Sequence, residues 1–376
     1  MNQAIAHDPT FFQAYCQLAR AHDDLYFNRV DRTPARLSLA EAAIDAAFRL
    51  RADAGEAHLA RAVNLYRGYL DYNGALAELE VAGQTLPNDA RLFELKGSIE
   101  RRKGRWDDST RNFERAIELD PRNASLLNQI SFSYHYLRRY ADQDAVLQRA
   151  LAIEPTNITW EVLRAELEFD WKANTRPLHQ LIDELRAKDP GALPNVADSW
   201  VYCALAERDP VAAANALAAL GENTIGGITI RFGPRVVEGL IARMTKDVAK
   251  AQAAFTAARV EQEKLVRANP NDAATLTVLG WIDAALGRKE DALSEGWHAV
   301  ELLPLEKDAI NGTRMIVALA RIAAWVGDKD LACEQLARTS RLPSGVTYGQ
   351  LKLMPWWDPL RGDPCFEKIV ASLAPK

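Results

Sequence analysis

The stretch that decides the fold is residues 87–155. Its first half, residues 87–121, reads PNDARLFELKGSIERRKGRWDDSTRNFERAIELDP, and its second half, residues 121–155, reads PRNASLLNQISFSYHYLRRYADQDAVLQRALAIEP. Proline recurs at Pro87, Pro121 and Pro155, at intervals of 34 residues, and each interval holds two apolar patterns of helical spacing. A fixed period of this size with two helices per unit predicts a solenoid of stacked helical hairpins.

The turn residues of this stretch agree with such a hairpin. Gly104 lies between the two helices of the first interval, where a left-handed conformation costs glycine little. Each proline ends a second helix and forces the residue before it into an extended conformation. Asp89 and Asn123 follow two of these prolines and are natural N-caps for the next helix. All of these local signals favour the same unit.

The period predicts about nine hairpins along the chain, since Pro270 and Pro304 repeat the interval of 34 residues. Two stretches interrupt the pattern: an aromatic- and Arg-rich insertion at residues 23–38 and the glycine-rich residues 221–234, GENTIGGITIRFGP. We expect six hairpins at residues 1–220, an irregular insertion at 221–234, three hairpins at 235–341 and a C-terminal cap at 342–376. Residues 4–9, AIAHDP, match the end of a unit, so the chain is expected to begin inside a hairpin of a longer protein.

Composition and charge argue against several classes of function. A net charge of −5 argues against nucleic acid as a partner, because neutralising phosphates requires an excess of Lys and Arg. No apolar run approaches the roughly 18 residues that a membrane span needs, so no membrane insertion is expected. Cys16, Cys203, Cys333 and Cys365 are scattered, with no CxxC and no His at metal spacing. They predict free thiols in a reducing, cytoplasmic compartment, and no metal or cofactor is expected.

The third and eighth hairpins resemble the tetratricopeptide repeat in the place and type of their small, aromatic and proline residues. The matching residues are Phe93, Gly97, Gly104, Trp106, Phe113, Ala116 and Pro121, and then Leu279, Gly280, Gly287, Ala292, Ala299 and Pro304. The resemblance covers nearly the whole chain and is weakest in the fifth to seventh hairpins. It implies an all-α fold, a right-handed α-solenoid superhelix.

The tail carries a second resemblance. Residues 357–368, WDPLRGDPCFEK, are similar to the C-terminus of large bacterial regulators in which such repeats follow a kinase, winged-helix, cyclase or TolB-like region. This resemblance implies that the chain is the C-terminal module of a larger bacterial regulator.

The tetratricopeptide resemblance also implies where a partner binds, because these superhelices bind protein or peptide segments in a concave groove lined by the first helix of each hairpin. The groove residues expected on this basis are Arg67, Arg91, Glu94, Ser98, Asn128, Gln129, His135, Glu166 and Asp170. The best-known carboxylate clamp of this family needs Lys and Asn pairs, whereas the third hairpin offers Glu94 and Ser98. A receptor for chaperone tails is therefore not implied. The alternative for each residue is an ordinary solvated or hydrogen-bonded side chain.

Glu166 and Asp170 also support a hypothesis from another class. They form an i, i+4 pair on one helical face, and paired carboxylates can perform acid–base catalysis on glycosides. Trp160 and Trp171 could stack on a sugar ring, although most tryptophans, such as Trp106, occupy packing positions of the repeat. No other catalytic motif appears in the sequence, since Gly226-Gly227 lacks the spacing and the Lys of a phosphate-binding loop.

The sequence is thus compatible with three functions. The main hypothesis is a protein-interaction or sensory scaffold that binds a peptide or protein segment in the groove. The alternatives are a helical-repeat glycoside hydrolase that uses Glu166 and Asp170, and a homo-oligomeric structural spacer.

Overall fold

The computed structural model describes residues 1–28, 30–227 and 229–375, and the chain forms two compact units, Met1–Ser133 and Tyr134–Lys376. The first unit contains α1 (Asn2–His7), α2 (Phe12–Phe27), α3 (Pro34–Leu50), α4 (Gly55–Asn64), α5 (Tyr72–Thr85), α6 (Ala90–Arg102), α7 (Trp106–Leu119) and most of α8 (Ala124–Tyr136). A π-helical turn, Leu65–Tyr69, continues α4.

The second unit contains the remaining helices and a short β-hairpin. The helices are α9 (Tyr140–Ile153), α10 (Ile158–Lys172), α11 (Arg176–Lys188), α12 (Leu193–Glu207), α13 (Pro210–Leu220), α14 (Pro234–Met244), α15 (Val248–Ala268), α16 (Ala273–Ala285), α17 (Lys289–Leu302), α18 (Asn311–Trp325), α19 (Lys329–Thr339), α20 (Tyr348–Leu353) and α21 (Pro364–Leu373). Short 3₁₀ segments lie at Pro190–Ala192 and Pro355–Leu360. Strands β1 (Ile225–Gly226) and β2 (Arg231–Phe232) pair antiparallel, with Ile225 opposite Phe232.

Consecutive helices pack as pairs, for example α2 with α3, α4 with α5, α6 with α7, α16 with α17 and α18 with α19. Neighbouring pairs then pack on one another, as α16 does on α15 and α18. The predicted all-α solenoid of helical hairpins is therefore confirmed. Within the described residues, no helix is long and apolar enough to cross a membrane.

Side-chain caps begin many of these helices. The oxygens of Asp89, Asn123, Asn157 and Asp272 accept a hydrogen bond from a backbone N–H in the first turn of the next helix, as the sequence predicts. Such a cap satisfies one of the donors that a helix start leaves without a partner. The polar residues that follow each proline thus fix where the next helix starts.

Two stretches that interrupt the repeat are more regular than expected. Within the insertion predicted at residues 23–38, α2 continues to Phe27 and α3 already begins at Pro34. Buried Asp23 accepts a hydrogen bond of 2.8 Å from the amide of Asn64, which holds the end of α2 against α4. Residues 221–234 include the short strands β1 and β2, and Ile228 lies outside the described residues. The four-region division at 220, 234 and 341 stays a prediction.

Paired glycine and phenylalanine residues set the close approach of the helices within a hairpin. In the third hairpin, a Cβ atom on Gly97 would lie 3.0 Å from the ring of Phe113. In the seventh hairpin, a Cβ atom on Gly239 would lie 2.6 Å from the ring of Phe255. The spacing between glycine and phenylalanine is sixteen residues in both hairpins. The first helix therefore leaves a gap that the aromatic ring of the second helix fills.

We expect the Phe113→Ala substitution to lower the free energy of unfolding of the first unit by about 3–5 kcal/mol, because it leaves a cavity against Gly97. Amide hydrogen exchange of α6 and α7 at increasing urea concentrations measures the change. The matched control is Phe11→Ala, since Phe11 is 43% exposed whereas Phe113 is fully buried. Equal losses for the two variants would contradict this account of the packing.

Candidate functional site

The predicted groove residues lie in both compact units, and each unit is described by itself. Arg67, Arg91, Glu94, Ser98, Asn128 and Gln129 belong to the first unit, and His135, Glu166 and Asp170 belong to the second unit.

In the first unit, Glu94 and Arg67 belong to one charged cluster. Burial raises the pKa of the Glu94 carboxyl group, and the positive charges of Arg20, Arg67 and Arg101 oppose that rise. Burial lowers the pKa of Arg67, whose guanidinium group forms an ion pair with Asp24. The two predicted residues thus influence each other electrostatically, and both are partly withdrawn from solvent.

Two other predicted residues of the first unit already have structural partners. A guanidinium nitrogen of Arg91 lies 2.5 Å from a carboxylate oxygen of Asp89, and Asp89 caps α6, the helix that contains Arg91. The side-chain oxygen of Gln129 accepts a hydrogen bond of 2.7 Å from buried Arg101. Arg91 and Gln129 therefore contribute to the fold of the first unit.

Ser98 and Asn128 differ in what they offer a ligand. Ser98 is buried on α6. The Oδ1 atom of Asn128 is also buried, and it has no hydrogen-bond partner within the part of the chain that the structure describes. Asn128 is thus the predicted residue of this unit that keeps an unused acceptor.

In the second unit, Asp170 is nearly buried and contacts the C-terminal region. Its carboxylate accepts a hydrogen bond of 2.5 Å from the hydroxyl group of Thr347, and Nε2 of His135 lies 3.8 Å from its other oxygen. Burial raises the pKa of Asp170, while His135 and hydrogen bonds from Thr347 and Gln350 act in the opposite direction. His135 and Asp170, both predicted groove residues, are therefore neighbours.

Glu166 lies one helical turn before Asp170 and interacts with it electrostatically. Its carboxylate accepts a hydrogen bond of 2.6 Å from the hydroxyl group of Ser199. Burial raises the pKa of Glu166 to about 7, and the negative charges of Asp170 and Asp198 raise it further. The two carboxylates share one helical face, as their spacing predicts.

The two tryptophans of the hydrolase hypothesis serve as packing groups. Trp160 is buried and its indole N–H donates a hydrogen bond of 2.9 Å to Glu154. Trp171 stacks on Tyr140, with ring centroids 5.7 Å apart and planes inclined by 23°. Both indole rings therefore already contact groups of the chain.

Residues 344–350, which we call the tail segment, contact residues 136–138 and pack against α10 within the second unit. The backbone N–H of Ser344 donates to the carbonyl oxygen of Tyr136 at 3.0 Å, and Arg138 donates to the carbonyl oxygen of Val346 at 2.9 Å. A Cβ atom on Gly349 would lie 1.8 Å from the carbonyl oxygen of Phe169. The sequence predicts a C-terminal cap at residues 342–376, and hydrogen bonds join this tail to residues 177 and 208 positions earlier in the chain.

A cavity of about 160 Å³ lies beside the tail segment. Most of its wall is polar, and arginine is its most frequent residue. The lining residues are His135, Tyr136, Arg138, Ile230, Arg314, Val317, Arg321, Ser344, Gly345, Thr347 and Gln350. We call this space the arginine cavity; no Asp or Glu lines it.

The arginines of this cavity are held by neutral groups. Arg314 donates hydrogen bonds to the hydroxyl groups of Thr229 at 2.9 Å and Tyr136 at 3.1 Å. Arg138 donates to a backbone carbonyl group, and burial lowers its pKa. Within the described residues, neither guanidinium group lies within 4.0 Å of a carboxylate. Their charges are therefore not balanced by a direct ion pair.

Arg321 is enclosed more tightly than the other two arginines. Its guanidinium carbon lies 4.7 Å from the ring centroid of Trp281 and 4.8 Å from that of Trp356. Burial lowers the pKa of Arg321 to about 10. The Nε atom of Arg321 and the hydroxyl oxygen of Ser344 are buried and have no hydrogen-bond partner among the described residues. The arginine cavity thus offers unused polar atoms and positive charge, which suits an anionic group.

Sequence reasoning missed Arg138, Arg314 and Arg321. The signal that could have found Arg321 is its place in an apolar helix, between Ala320 and Ile322, because a charge within such a run needs a reason. No local pattern connects residues 136–138 with residues 314–350.

We expect Thr347→Val to loosen the tail segment, because it removes the hydroxyl donor of a buried carboxylate. The free energy of unfolding should fall by about 1–3 kcal/mol, and amide hydrogen exchange should rise across residues 344–350. The control is Thr256→Val, since the exposed hydroxyl group of Thr256 donates to the carbonyl oxygen of Gln252 in its own helix. Unchanged exchange in the tail segment of Thr347→Val would show that this hydrogen bond does not hold the segment.

A second prediction concerns Glu166 and pH. Because its pKa is raised to about 7, the folded chain binds a proton that the unfolded chain has already released, so stability falls as pH rises towards 7. The Glu166→Gln variant lacks this loss. We expect its stability relative to wild type to rise by on the order of 1–2 kcal/mol between pH 5 and pH 8.

Urea unfolding at several pH values measures this difference. Glu184→Gln is the control, because the side chain of Glu184 is 63% exposed. If wild type and Glu166→Gln change in parallel with pH, the carboxyl group of Glu166 is not the buried acid described above.

No protein-family model and no curated protein sequence matches the chain. Solved structures do resemble it. Yeast Tom70 is 14% identical with a TM-score of 0.51, over 77% of this chain and 59% of Tom70. Pseudomonas aeruginosa pilF is 14% identical with a TM-score of 0.37, over 70% of this chain and 94% of that protein. The human IFIT1 dimer with PPP-AAAA is 15% identical with a TM-score of 0.47, over 81% of this chain and 67% of IFIT1.

The chain therefore spans less than two thirds of Tom70, and at this level of identity the likeness shows the fold alone. Together with the paired helices, it shows a helical-repeat fold of the tetratricopeptide type.

Proposed function

We propose that this chain is a protein-interaction scaffold that binds a peptide or protein segment along the first helices of its hairpins. The single observation that carries the proposal is the arginine cavity, in which Arg138, Arg314 and Arg321 have no carboxylate partner among the described residues. We further propose that this cavity receives an acidic group of the bound segment.

The size and chemistry of the cavity support a carboxylate on a peptide. A volume of about 160 Å³ holds one side chain or a terminal residue of a chain that continues outside. Guanidinium groups bind carboxylates through paired hydrogen bonds, and burial strengthens such bonds. The net charge of −5 disfavours a long polyanion, which would be repelled by the rest of the surface.

The predicted groove residues of the first unit are proposed to serve the same function. Glu94 and Arg67 supply charge, and Asn128 supplies an unused acceptor. The Asn128→Ala substitution should lower the affinity of the first unit for its partner. It should not change binding at the arginine cavity of the second unit.

We also propose that the chain is the C-terminal module of a larger bacterial regulator. The support is the resemblance of residues 357–368 to the tails of such proteins. In the structure Trp357 and Phe366 are buried and Asp363 caps α21, so the motif forms part of the end of the fold. Sequencing the intact gene tests this proposal. An unrelated domain before these repeats, or no further domain, would contradict it.

The glycoside hydrolase remains a second candidate because the pKa of Glu166 is raised to about 7, which suits a general acid. A panel of chromogenic glycosides tests it with the purified chain. Turnover that Glu166→Gln abolishes would establish it, and no turnover above background would exclude it for those substrates.

For the scaffold, we expect the chain to prefer acidic peptides in an array of matched synthetic pairs that differ by Glu or Gln at one position. The Arg314→Gln substitution should reduce the preference for Glu at least tenfold, about 1.4 kcal/mol, because one guanidinium group of the cavity is removed. Fluorescence anisotropy on the selected pairs measures the affinities.

The matched control is Arg267→Gln, since Arg267 is 77% exposed on α15, away from the cavity lining. It should keep the preference for Glu. Equal binding of Glu and Gln peptides by the wild type, or an equal loss in both variants, would contradict the assignment of the arginine cavity.

A further inference from the structure

Two neighbouring helices of the second unit carry metal-ligating side chains one helical turn apart. His179 and Asp183 lie on α11, and Cys203 and Glu207 lie on α12. Residues four apart share one face of a helix, and α11 packs on α12. The fold therefore brings an imidazole, a thiol and two carboxylates to one place.

The distances connect these four groups. Nδ1 of His179 lies 2.8 Å from Oε2 of Glu207, and Nε2 of His179 lies 3.3 Å from Oδ2 of Asp183. The ligating atoms of His179, Cys203 and Glu207 all lie within 4.8 Å of one another. Asp183 faces the far side of the imidazole ring, where it can accept the second ring N–H.

We propose that His179, Cys203 and Glu207 bind a divalent transition-metal ion such as Zn²⁺, and that Asp183 orients the imidazole. Bond lengths to Zn²⁺ of about 2.0–2.3 Å place tetrahedral ligand atoms about 3.3–3.8 Å apart. That range lies between the 2.8 Å and 4.8 Å limits of the cluster, so small side-chain rotations complete the geometry. A thiolate with an imidazole selects zinc-type ions over Mg²⁺ and Ca²⁺, which prefer oxygen ligands only.

Burial and the outer carboxylate fit the same assignment. Cys203 is 2% exposed, whereas the His179 side chain is 50% exposed, so the sulfur forms the floor of the site and an ion enters past the imidazole. A ligating histidine commonly donates its other ring N–H to a carboxylate, which fixes the tautomer and the ring orientation. Asp183 occupies that position. The proposed site keeps one coordination position for water or a further ligand.

The simpler reading is a surface ion pair between His179 and Glu207 above a buried thiol. The two readings differ in the role of sulfur. Only a bound transition metal gives a bond to Cys203, and Co²⁺ reports such a bond through a thiolate-to-cobalt charge-transfer absorption band.

The experiment titrates Co²⁺ into the full, reduced, metal-free chain and then adds Zn²⁺. The wild type should develop the charge-transfer band with one equivalent of Co²⁺, and Zn²⁺ should remove it. Cys203→Ser should lose the band. Asp183→Asn should weaken Co²⁺ binding about 10- to 100-fold, and His179→Gln, which removes a ligand, should weaken it at least as much; circular dichroism should be unchanged in both variants.

The chain offers a matched control, because Cys333, Asp363 and Cys365 form a second group whose ligand atoms lie within 4.8 Å of one another. A Cys333→Ser/Cys365→Ser variant should keep the band. No band in the wild type, or a band that survives Cys203→Ser and disappears in the double variant, would overturn the proposal.

Discussion

A close contact between a glycine of the first helix and a phenylalanine of the second sets the distance between the helices of the third and seventh hairpins. Gly97 with Phe113 and Gly239 with Phe255 repeat this contact in different compact units. The glycine sets the distance between the helices, and the buried ring fills the space that results. Once that distance is fixed, the polar faces of neighbouring helices also have fixed positions. Charged side chains on two helices can therefore lie close together although no loop positions them.

The second unit uses that scaffold in two opposite ways. On α10, Glu166 and Asp170 are supplied with hydroxyl donors by Ser199 and Thr347, and their carboxylates are satisfied within the chain. Around the arginine cavity the reverse holds, because the guanidinium groups rest on neutral oxygens and aromatic faces. Cation–π contacts stabilise a buried arginine without neutralising it. Both acids thus accept hydrogen bonds from hydroxyl groups of the chain, whereas the guanidinium groups of the cavity contact neutral groups.

The sequence predicts those parts of the fold that depend on residues close together in the chain. The proline interval, Gly104 and the caps at Asp89 and Asn123 predict the hairpins because each signal acts within one turn or one helix. The tail segment, the arginine cavity and the cluster around Cys203 join residues from separate helices, and none of these residues stands in a recognisable motif. Of the predicted groove residues, His135 and Asp170 are brought together. The partners that complete their surroundings lie near residue 347, which no local spacing indicates.

The attachment of the tail segment to residues 136–138 and to α10 also bears on how the second unit folds. An ordinary solenoid has contacts only between adjacent repeats, so it can grow and fray one repeat at a time. Here the hydrogen bonds from Thr347 to Asp170 and from Arg138 to Val346 span 177 and 208 residues. Such contacts carry a large loop-closure entropy and form only after the intervening hairpins have stacked. They join the turn before α9 and the helix α10 to the residues just before α20, so loss of either end of the second unit should destabilise the other end.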